Sequence, residues 1–283
     1  MRDKTAKLIP KPDSALQQKF IAYQSMLETE LGEKVSLNRI AEEFLVFQRL
    51  TGHRHSLDDA LTGWYALQKK PDAQRMLDLG SGIGTVGLTV LSGLGLETTA
   101  LFIEAQDTSF KLLSANINCN ALTDRVSLIH SDLRSTKTLE KFPLITGSPP
   151  YFPVKSGVLP PDSQKAHARF ELRGHVGDYA SFANEHLSES GLFVFCFPFQ
   201  QKVRCFDLVT AAGMSIVSVR DVVTRAGKAP LFSLYSAKKS VDVSVSEKLV
   251  EEPAFIVAGA DGVYSDEMRA MQASRGFGPD GSN

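Results

Sequence analysis

Between Ala15 and Leu50 the apolar residues Phe20, Ile21, Tyr23, Met26, Leu27 and Leu31, then Ile40, Phe44, Leu45 and Phe47, recur at helical spacing. That spacing predicts two helices separated near Gly32, with Ser36 as an N-cap and Gly52 as a stop. Beyond Pro71 the rhythm changes: short apolar runs alternate with helical segments, as they must when strands buried on both faces are joined by covering helices. Strands are predicted at Arg75–Leu79, Thr99–Glu104, Val126–His130, Leu144–Thr146, Leu192–Phe197, Ile216–Val223 and Leu231–Tyr235. Helices fit at Gly84–Leu94, Thr108–Asn120, Asp178–Leu187 and Gln201–Ala212. The fold class is α/β, a doubly wound seven-stranded sheet with helices on both faces and an N-terminal helical extension. The chain divides into that extension over residues 1–52, a main domain over 53–271 and a flexible tail over 272–283, which holds Gly276, Gly278, Pro279 and Gly281. The stretch from Phe152 to Gly177 is rich in Pro, Gly and charge and shows no strand. Loops of such length in a folded domain are usually functional or disordered, and its place directly after the Ser148-Pro149-Pro150-Tyr151 turn favours the functional reading.

Composition narrows the reading in three respects. Of 283 residues 43% are apolar and 22% charged, an ordinary balance for a folded domain of enzyme size. The formal net charge of -1 supplies no overall pull toward nucleic acid, so any such contact must use a local patch. Cys119, Cys196 and Cys205 lack metal-ligand spacing and are too few for a disulfide framework, which points to buried thiols in a reducing compartment. The segment Met1–Pro12 mixes Arg2, Lys4, Lys7 and Lys11 with Asp3 and has no signal-like apolar stretch. No run approaches the roughly 18 apolar residues of a membrane span, so a cytoplasmic setting is expected.

The first candidate site is the run Met76-Leu77-Asp78-Leu79-Gly80-Ser81-Gly82-Ile83-Gly84, an apolar strand entering glycines that open a helix. Such a bend turns the backbone sharply and lets a ligand approach without Cβ interference. Glu104 closes the second strand, and Asp132 and Leu133 follow the third. In an open parallel sheet the crevice lies beyond the carboxyl ends of the strands, where Asp78, Gly80, Glu104 and Asp132 would converge. A carboxylate at the second strand end can accept both hydroxyls of a ribose. The spacing Gly80-x-Gly82-x-Gly84 departs from the dinucleotide fingerprint, whose last glycine falls three residues beyond the second. A nicotinamide-dependent oxidoreductase is disfavoured on that ground.

The second is Gly147-Ser148-Pro149-Pro150-Tyr151-Phe152, directly after the fourth strand. Consecutive prolines fix φ and donate no hydrogen bond, so the Pro149 carbonyl is held outward as an acceptor beside the Ser148 hydroxyl. Two such acceptors can hold an NH2 group by both hydrogens, while Tyr151 offers a ring on which a flipped planar base can stack.

The glycine run resembles motif I of class I S-adenosylmethionine-dependent methyltransferases, and Ser148-Pro149-Pro150-Tyr151 resembles the Asp/Asn/Ser-Pro-Pro-aromatic motif of amino-group methyltransferases. Three further runs, Ser56-Leu57-Asp58-Asp59-Ala60-Leu61, Gln164-Lys165-Ala166-His167-Ala168-Arg169-Phe170-Glu171 and Gly227-Lys228-Ala229-Pro230-Leu231, are similar to the bacterial tRNA (adenine-N6)-methyltransferases from about His53 to Met271. The resemblance implies a Rossmann-like methyltransferase sheet and S-adenosylmethionine as cofactor. It places the methionine portion on the bend of Gly80, Gly82 and Gly84, ribose on Glu104, and the adenine amino group on Asp132 beside Leu133. It also implies catalysis at Ser148, Pro149, Pro150 and Tyr151, and a substrate of tRNA or other structured RNA. The bacterial tRNA enzymes usually carry Asn where this chain has Ser148; serine occurs there in cytosine-N4 enzymes.

Phe152 with Lys165, Arg169 and Arg173 is the expected substrate-contacting set, and Arg169 with Glu171 an expected ion pair. No metal is expected, since His53 and His55 have no third ligand in their segment. Trp64 and Tyr65 are expected beneath the glycine bend. Two other functions fit the same motifs: a protein glutamine-N5 methyltransferase, whose amide NH2 suits the same acceptors, and a catalytically silent RNA-binding partner of the same fold. The N-terminal helices are a candidate surface for a partner protein.

Overall fold

The computed structural model describes residues 14–137, 140–244 and 246–278. The polar segment Met1–Pro12 and the last five residues of the expected tail lie outside the described residues.

Helix α1 (Ser14–Leu31) ends at Gly32, whose φ of +67° is the left-handed close typical of helix C-termini. The second expected N-terminal helix is absent. In its place β1 (Val35–Arg39) and β2 (Leu45–Arg49) pair antiparallel, with Leu37 opposite Phe47, so Ser36 lies in a strand and caps no helix. The reason lies about seventy residues away. Asn116 and Asn120, one helical turn apart, supply side-chain partners to the outer edge of β2: Phe47 N donates to Asn116 Oδ1 at 2.7 Å and Leu45 N to Asn120 Oδ1 at 3.0 Å. Their amide groups donate in return to the Phe47 and Leu45 carbonyls. An edge strand satisfied in this way is neither exposed nor free to slip.

The main sheet follows. After α2 (Leu57–Lys69) come β3 (Arg75–Leu79), α3 (Thr85–Gly93), β4 (Thr99–Glu104), α4 (Asp107–Cys119), β5 (Val126–His130) and β6 (Phe142–Gly147). Then follow α5 (Ser163–Arg169), α6 (Val176–His186), β7 (Leu187–Pro198), α7 (Lys202–Ala211), β8 (Met214–Val223), β9 (Phe232–Lys239), β10 (Val250–Ile256) and α8 (Asp266–Ser274). The strand order is β10-β8-β9-β7-β6-β3-β4-β5, with β9 antiparallel to both neighbours and the other pairs parallel. All seven expected strands are present, and β3, β4 and β5 have the expected bounds. An eighth, β10, joins at the edge. Pro253 and two glutamates interrupt it, and its register shifts between Glu252 and Phe255, so it carries no alternating signal.

Two apolar layers cover the sheet. One joins α1, the hairpin, α2, α3 and α4 to strand residues such as Met76, Phe102 and Leu144; the other joins α6 and α7 to Leu77, Ile145 and Phe195. Trp64 and Tyr65 belong to the first layer, away from the glycine bend. Trp64 meets Phe255 edge-on at 5.3 Å, and the Tyr65 hydroxyl bonds Ser218 and Glu252 at 2.8 and 2.6 Å. The start of the expected flexible tail is packed. Gln272 is buried, Arg275 donates to the Ile40 carbonyl of the hairpin turn, and the Arg39 and Arg275 guanidinium groups lie 5.5 and 5.2 Å from the centre of the Phe277 ring. No helix among the described residues is long and apolar enough to cross a membrane.

Candidate active site

The parallel strands β3, β4, β5 and β6 end on one side of the sheet, and the order reverses between β3 and β6, the place where open α/β sheets leave a crevice. The bend after β3 is fastened there. Ser81 N donates to the Ile103 carbonyl of β4 at 2.9 Å, and Ser81 Oγ to the Asp78 carbonyl at 2.9 Å. Gly80 and Gly82 have φ of +60° and +58°. A Cβ at Gly80 would collide with the Tyr179 hydroxyl, whereas a Cβ at Gly82 would meet nothing within 4 Å. The backbone at Gly82 therefore borders open space. Gly84 is the N-cap of α3, packed near Leu113; it shapes the turn and forms no part of the cleft wall.

Three acidic residues were expected here, and the structure treats them differently. Asp78, 1% exposed, accepts from Thr146 Oγ1 at 2.7 Å and from Gly87 N at 3.2 Å, tying β6 and the first turn of α3 to β3. Burial pushes its carboxyl up to about 6. Glu104 accepts from Gly82 N at 2.8 Å through one oxygen and from Gln106 N at 2.6 Å through the other. Burial pushes it up to about 7, against the opposing pull of those donors and of the Arg173 guanidinium. Asp132 pairs with a sequence neighbour: it accepts from Arg134 Nε and Nη2 at 2.9 and 2.6 Å, which hold it below the usual carboxylate range. Its neighbours Ser131 and Leu133 line the cleft, and Asp132 stands between them, bonded to Arg134.

Ser148, Pro149, Pro150 and Tyr151 leave β6 across the crevice from the bend. Ser148 Oγ lies 3.4 Å from Cys196 Sγ. Among the described residues no group donates to the Pro149 carbonyl. The Tyr151 hydroxyl donates to Asp58 at 2.5 Å and lies 3.3 Å from Cys196 Sγ, and its ring meets Phe197 edge-on at 5.9 Å. Burial and the neighbouring anionic groups push its phenol well above the usual value. The following segment, read as strandless loop, contains α5 and returns to the turn: Tyr151 N and Phe152 N donate to the Arg169 carbonyl at 3.1 and 2.9 Å. Arg169 lies over the Phe152 ring at 5.9 Å, while Glu171 pairs with Arg204 at 2.7 and 2.8 Å in place of the expected Arg169. Arg173 donates to the Ala105 carbonyl beside Glu104.

One cleft of about 460 Å³ is lined by the bend at Gly80 and Gly82, by Asp78, Glu104 and Leu133, by Ser148 through Phe152, and by Lys165, Arg169 and Arg173. That volume lies within the range of small-molecule sites. Two acidic residues of the cleft were not singled out as site residues from the sequence. Asp58 anchors Tyr151, and Asp59 closes a capping box on Ser56 and accepts from Thr85 Oγ1 at 3.3 Å. Burial and the Asp58 charge push the Asp59 carboxyl up. They lie in the Ser56–Leu61 run, where the Ser-x-x-Asp capping pattern is a further local signal. Among the described residues no three His, Cys, Asp or Glu side chains are grouped to hold a metal ion.

Residues 62–158 match the family model of the methyltransferase small domain, a span that holds both the bend and the Pro-Pro turn. A Haemophilus influenzae protein named tRNA1(Val) (adenine(37)-N6)-methyltransferase is 25% identical over 227 residues, 80% of this chain and 92% of that one. The fold superposes with a TM-score of 0.57 on a predicted O-methyltransferase from Agrobacterium tumefaciens, at 16% identity over 77% of this chain and 97% of that one. A putative class I S-adenosylmethionine-dependent methyltransferase from Listeria monocytogenes gives 0.52 at 14% identity, over 89% and 76%. The fold is that of the class I S-adenosylmethionine-dependent methyltransferases. The chemistry of the methyltransferase cleft suits that cofactor: open backbone at Gly82, a buried carboxylate with lone pairs to spare at Glu104, and an apolar wall at Leu133.

Proposed function

We propose that the protein methylates an exocyclic amino group, adenine N6 in tRNA or another structured RNA, and that Ser148, Pro149, Pro150 and Tyr151 form the acceptor site. The observation that carries this reading is the Pro149 carbonyl: rigid, on the wall of the cofactor cleft and without a protein donor among the described residues. With the Ser148 hydroxyl it offers an NH2 group two acceptors. An aromatic amine is a poor nucleophile because its lone pair is delocalised into the ring. Holding both protons favours the tetrahedral nitrogen on which positive charge develops, and fixed acceptors cost no reorganisation as it does.

The cofactor, when bound, supplies an electrophilic methyl on sulfonium. Gly80 and Gly82 would pass beneath it, Glu104 would take the ribose hydroxyls, and Leu133 would bound the adenine. Tyr151, its hydroxyl tied to Asp58, gives the acceptor base a stacking face. Phe152, Lys165, Arg169 and Arg173 would receive the flanking nucleotides, with cations on phosphates. The name of the Haemophilus influenzae relative supports adenine N6 and tRNA. Serine in place of asparagine at 148 keeps the acceptor and shortens its reach. A cytoplasmic setting fits a tRNA substrate.

Incubation with tritiated cofactor and separate RNA, DNA and protein fractions tests the reading, followed by identification of the labelled nucleoside. Label in RNA as N6-methyladenosine is expected. Label confined to protein would replace this reading with glutamine-N5 methylation.

Glu104 adds a dependence on pH. Its folded value near 7 stands above the ordinary carboxylate value, so the unliganded protein holds this proton until pH passes about 7. Ribose hydroxyls donate best to the ionised form. Cofactor affinity is therefore expected to rise as pH climbs from 6 toward 8, by up to about tenfold per pH unit below 7. Calorimetric titration of S-adenosylhomocysteine across that range measures it; the slope should vanish in Glu104→Gln, and the same slope in that variant would remove Glu104 from the assignment.

A further inference from the structure

We infer that Gln164 is a positioning residue that couples the cofactor end of the cleft to the helix covering its acceptor end, with the N-terminal hairpin as the fixed support. The inference rests on the assignment of the cofactor ribose to Glu104.

Gln164 opens the charged segment after the Pro-Pro turn, yet it is only 2% exposed. Its amide is bonded on both sides. Oε1 accepts from Arg49 Nη1 at 3.1 Å and from His53 N at 3.2 Å, and Nε2 donates to Ser109 Oγ at 3.1 Å. Arg49, at the end of β2, is itself held by Glu33 at 2.5 Å and Asp162 at 2.7 Å. The backbone passes so close at Gly52 that a Cβ there would collide with the Gln164 amide oxygen.

From Ser109 the bonds continue to the ribose carboxylate. Ser109 N donates to Gln106 Oε1 at 2.6 Å, Gln106 N donates to Glu104 at 2.6 Å, and the second Glu104 oxygen takes Gly82 N. Helix α5 has seven residues, too few to persist by its own hydrogen bonds, so its place over the cleft is set by tertiary contacts. Gln164 is the contact that leads back to the cofactor side. A ligand that fixes Glu104 and Gln106 also fixes the start of α4, and through Ser109 it holds α5, with Lys165 and Arg169 at the cleft. The linkage is reciprocal: an acceptor that fixes α5 tightens the cofactor site by the same factor. The coupling is readable directly, as a ligand-dependent change in the order of α5.

Hydrogen exchange of the full-length protein, with and without S-adenosylhomocysteine, provides that reading. In the wild type the ligand is expected to slow exchange in Ser163–Phe170 by about fivefold, alongside the amides of Gly82 and Gln106. Ser109→Ala removes the hydroxyl that meets Gln164 and keeps the N–H that meets Gln106. This variant should bind S-adenosylhomocysteine no more than about fivefold more weakly than wild type, the coupling factor itself, and still protect Gly82 and Gln106, but lose the added protection of α5; Ser109→Thr should restore it. Gln164→Met is the second variant and should lose the same protection. Equal protection of α5 in wild type and both variants, or none in the wild type, would overturn the coupling. A wild type that fails to bind S-adenosylhomocysteine would instead overturn the cofactor assignment.

Discussion

Replacing Tyr151 with alanine is expected to lower kcat/KM for the RNA acceptor by about a thousandfold while S-adenosylhomocysteine affinity stays within about twofold. Two losses combine. A stacking face for a base is worth about 1–3 kcal/mol, or roughly ten to a hundredfold. Removing the ring also takes away the edge contact with Phe197 and the hydroxyl that spans Asp58 and Cys196, so the turn bearing the Pro149 carbonyl is less tightly placed. Misplacing a reacting group by about 1 Å can cost a further hundredfold. Tyr151→Phe separates the two: it keeps the ring and forfeits the bond to Asp58, for an expected loss of about tenfold. Steady-state kinetics on RNA, paired with calorimetry of the cofactor product, distinguishes these outcomes. An alanine variant that turns over normally, or one that loses the cofactor as well, would show that Tyr151 does not serve the acceptor.

Where apolar runs end abruptly in glycine or charge, the chain states its structure plainly. Strands β3, β4 and β5 have the expected bounds because each is an apolar run closed by such a signal: Gly80, Glu104 and, just past Ser131, Asp132. The N-terminal segment is different. Ile40, Phe44 and Phe47 have helical spacing, but the edge of β2 is satisfied by Asn116 and Asn120, whose contribution no local window contains. Helix α5 was hidden for a related reason. Its few turns carry no apolar stripe, and what buries it is a glutamine bonded to the hairpin and to α4.

The candidate site divides along the same line. Glu104 and Asp132 both follow strand ends, and position alone treats them alike. What separates them is the partner: Glu104 accepts from Gly82 of the bend, while Asp132 pairs with Arg134, two residues on. Asp58 had no visible partner in the sequence because Tyr151 lies 93 residues later. Charged residues thus reveal a crevice through their spacing, whereas their roles depend on which neighbour the fold delivers.

Gly82→Ala offers the largest expected effect on the cofactor with the least damage to the fold. A side chain at φ +58° costs about 1–2 kcal/mol of backbone strain. No atom lies within 4 Å of the added methyl, so packing resists it nowhere, and Tm should fall by only a few degrees. That methyl would stand in the space the cofactor needs, beside the N–H that Glu104 accepts. S-adenosylhomocysteine affinity is expected to fall at least about a hundredfold, since a filled contact in a close-packed site forces the ligand or the loop aside. Gly80→Ala is the informative contrast: its methyl meets the Tyr179 hydroxyl, so it should destabilise the fold as well as the complex. Thermal unfolding with and without ligand reads both quantities in one experiment. If Gly82→Ala melts near the wild type and is stabilised by S-adenosylhomocysteine to the same degree, the donor does not rest on this bend and the acceptor site must be sought elsewhere.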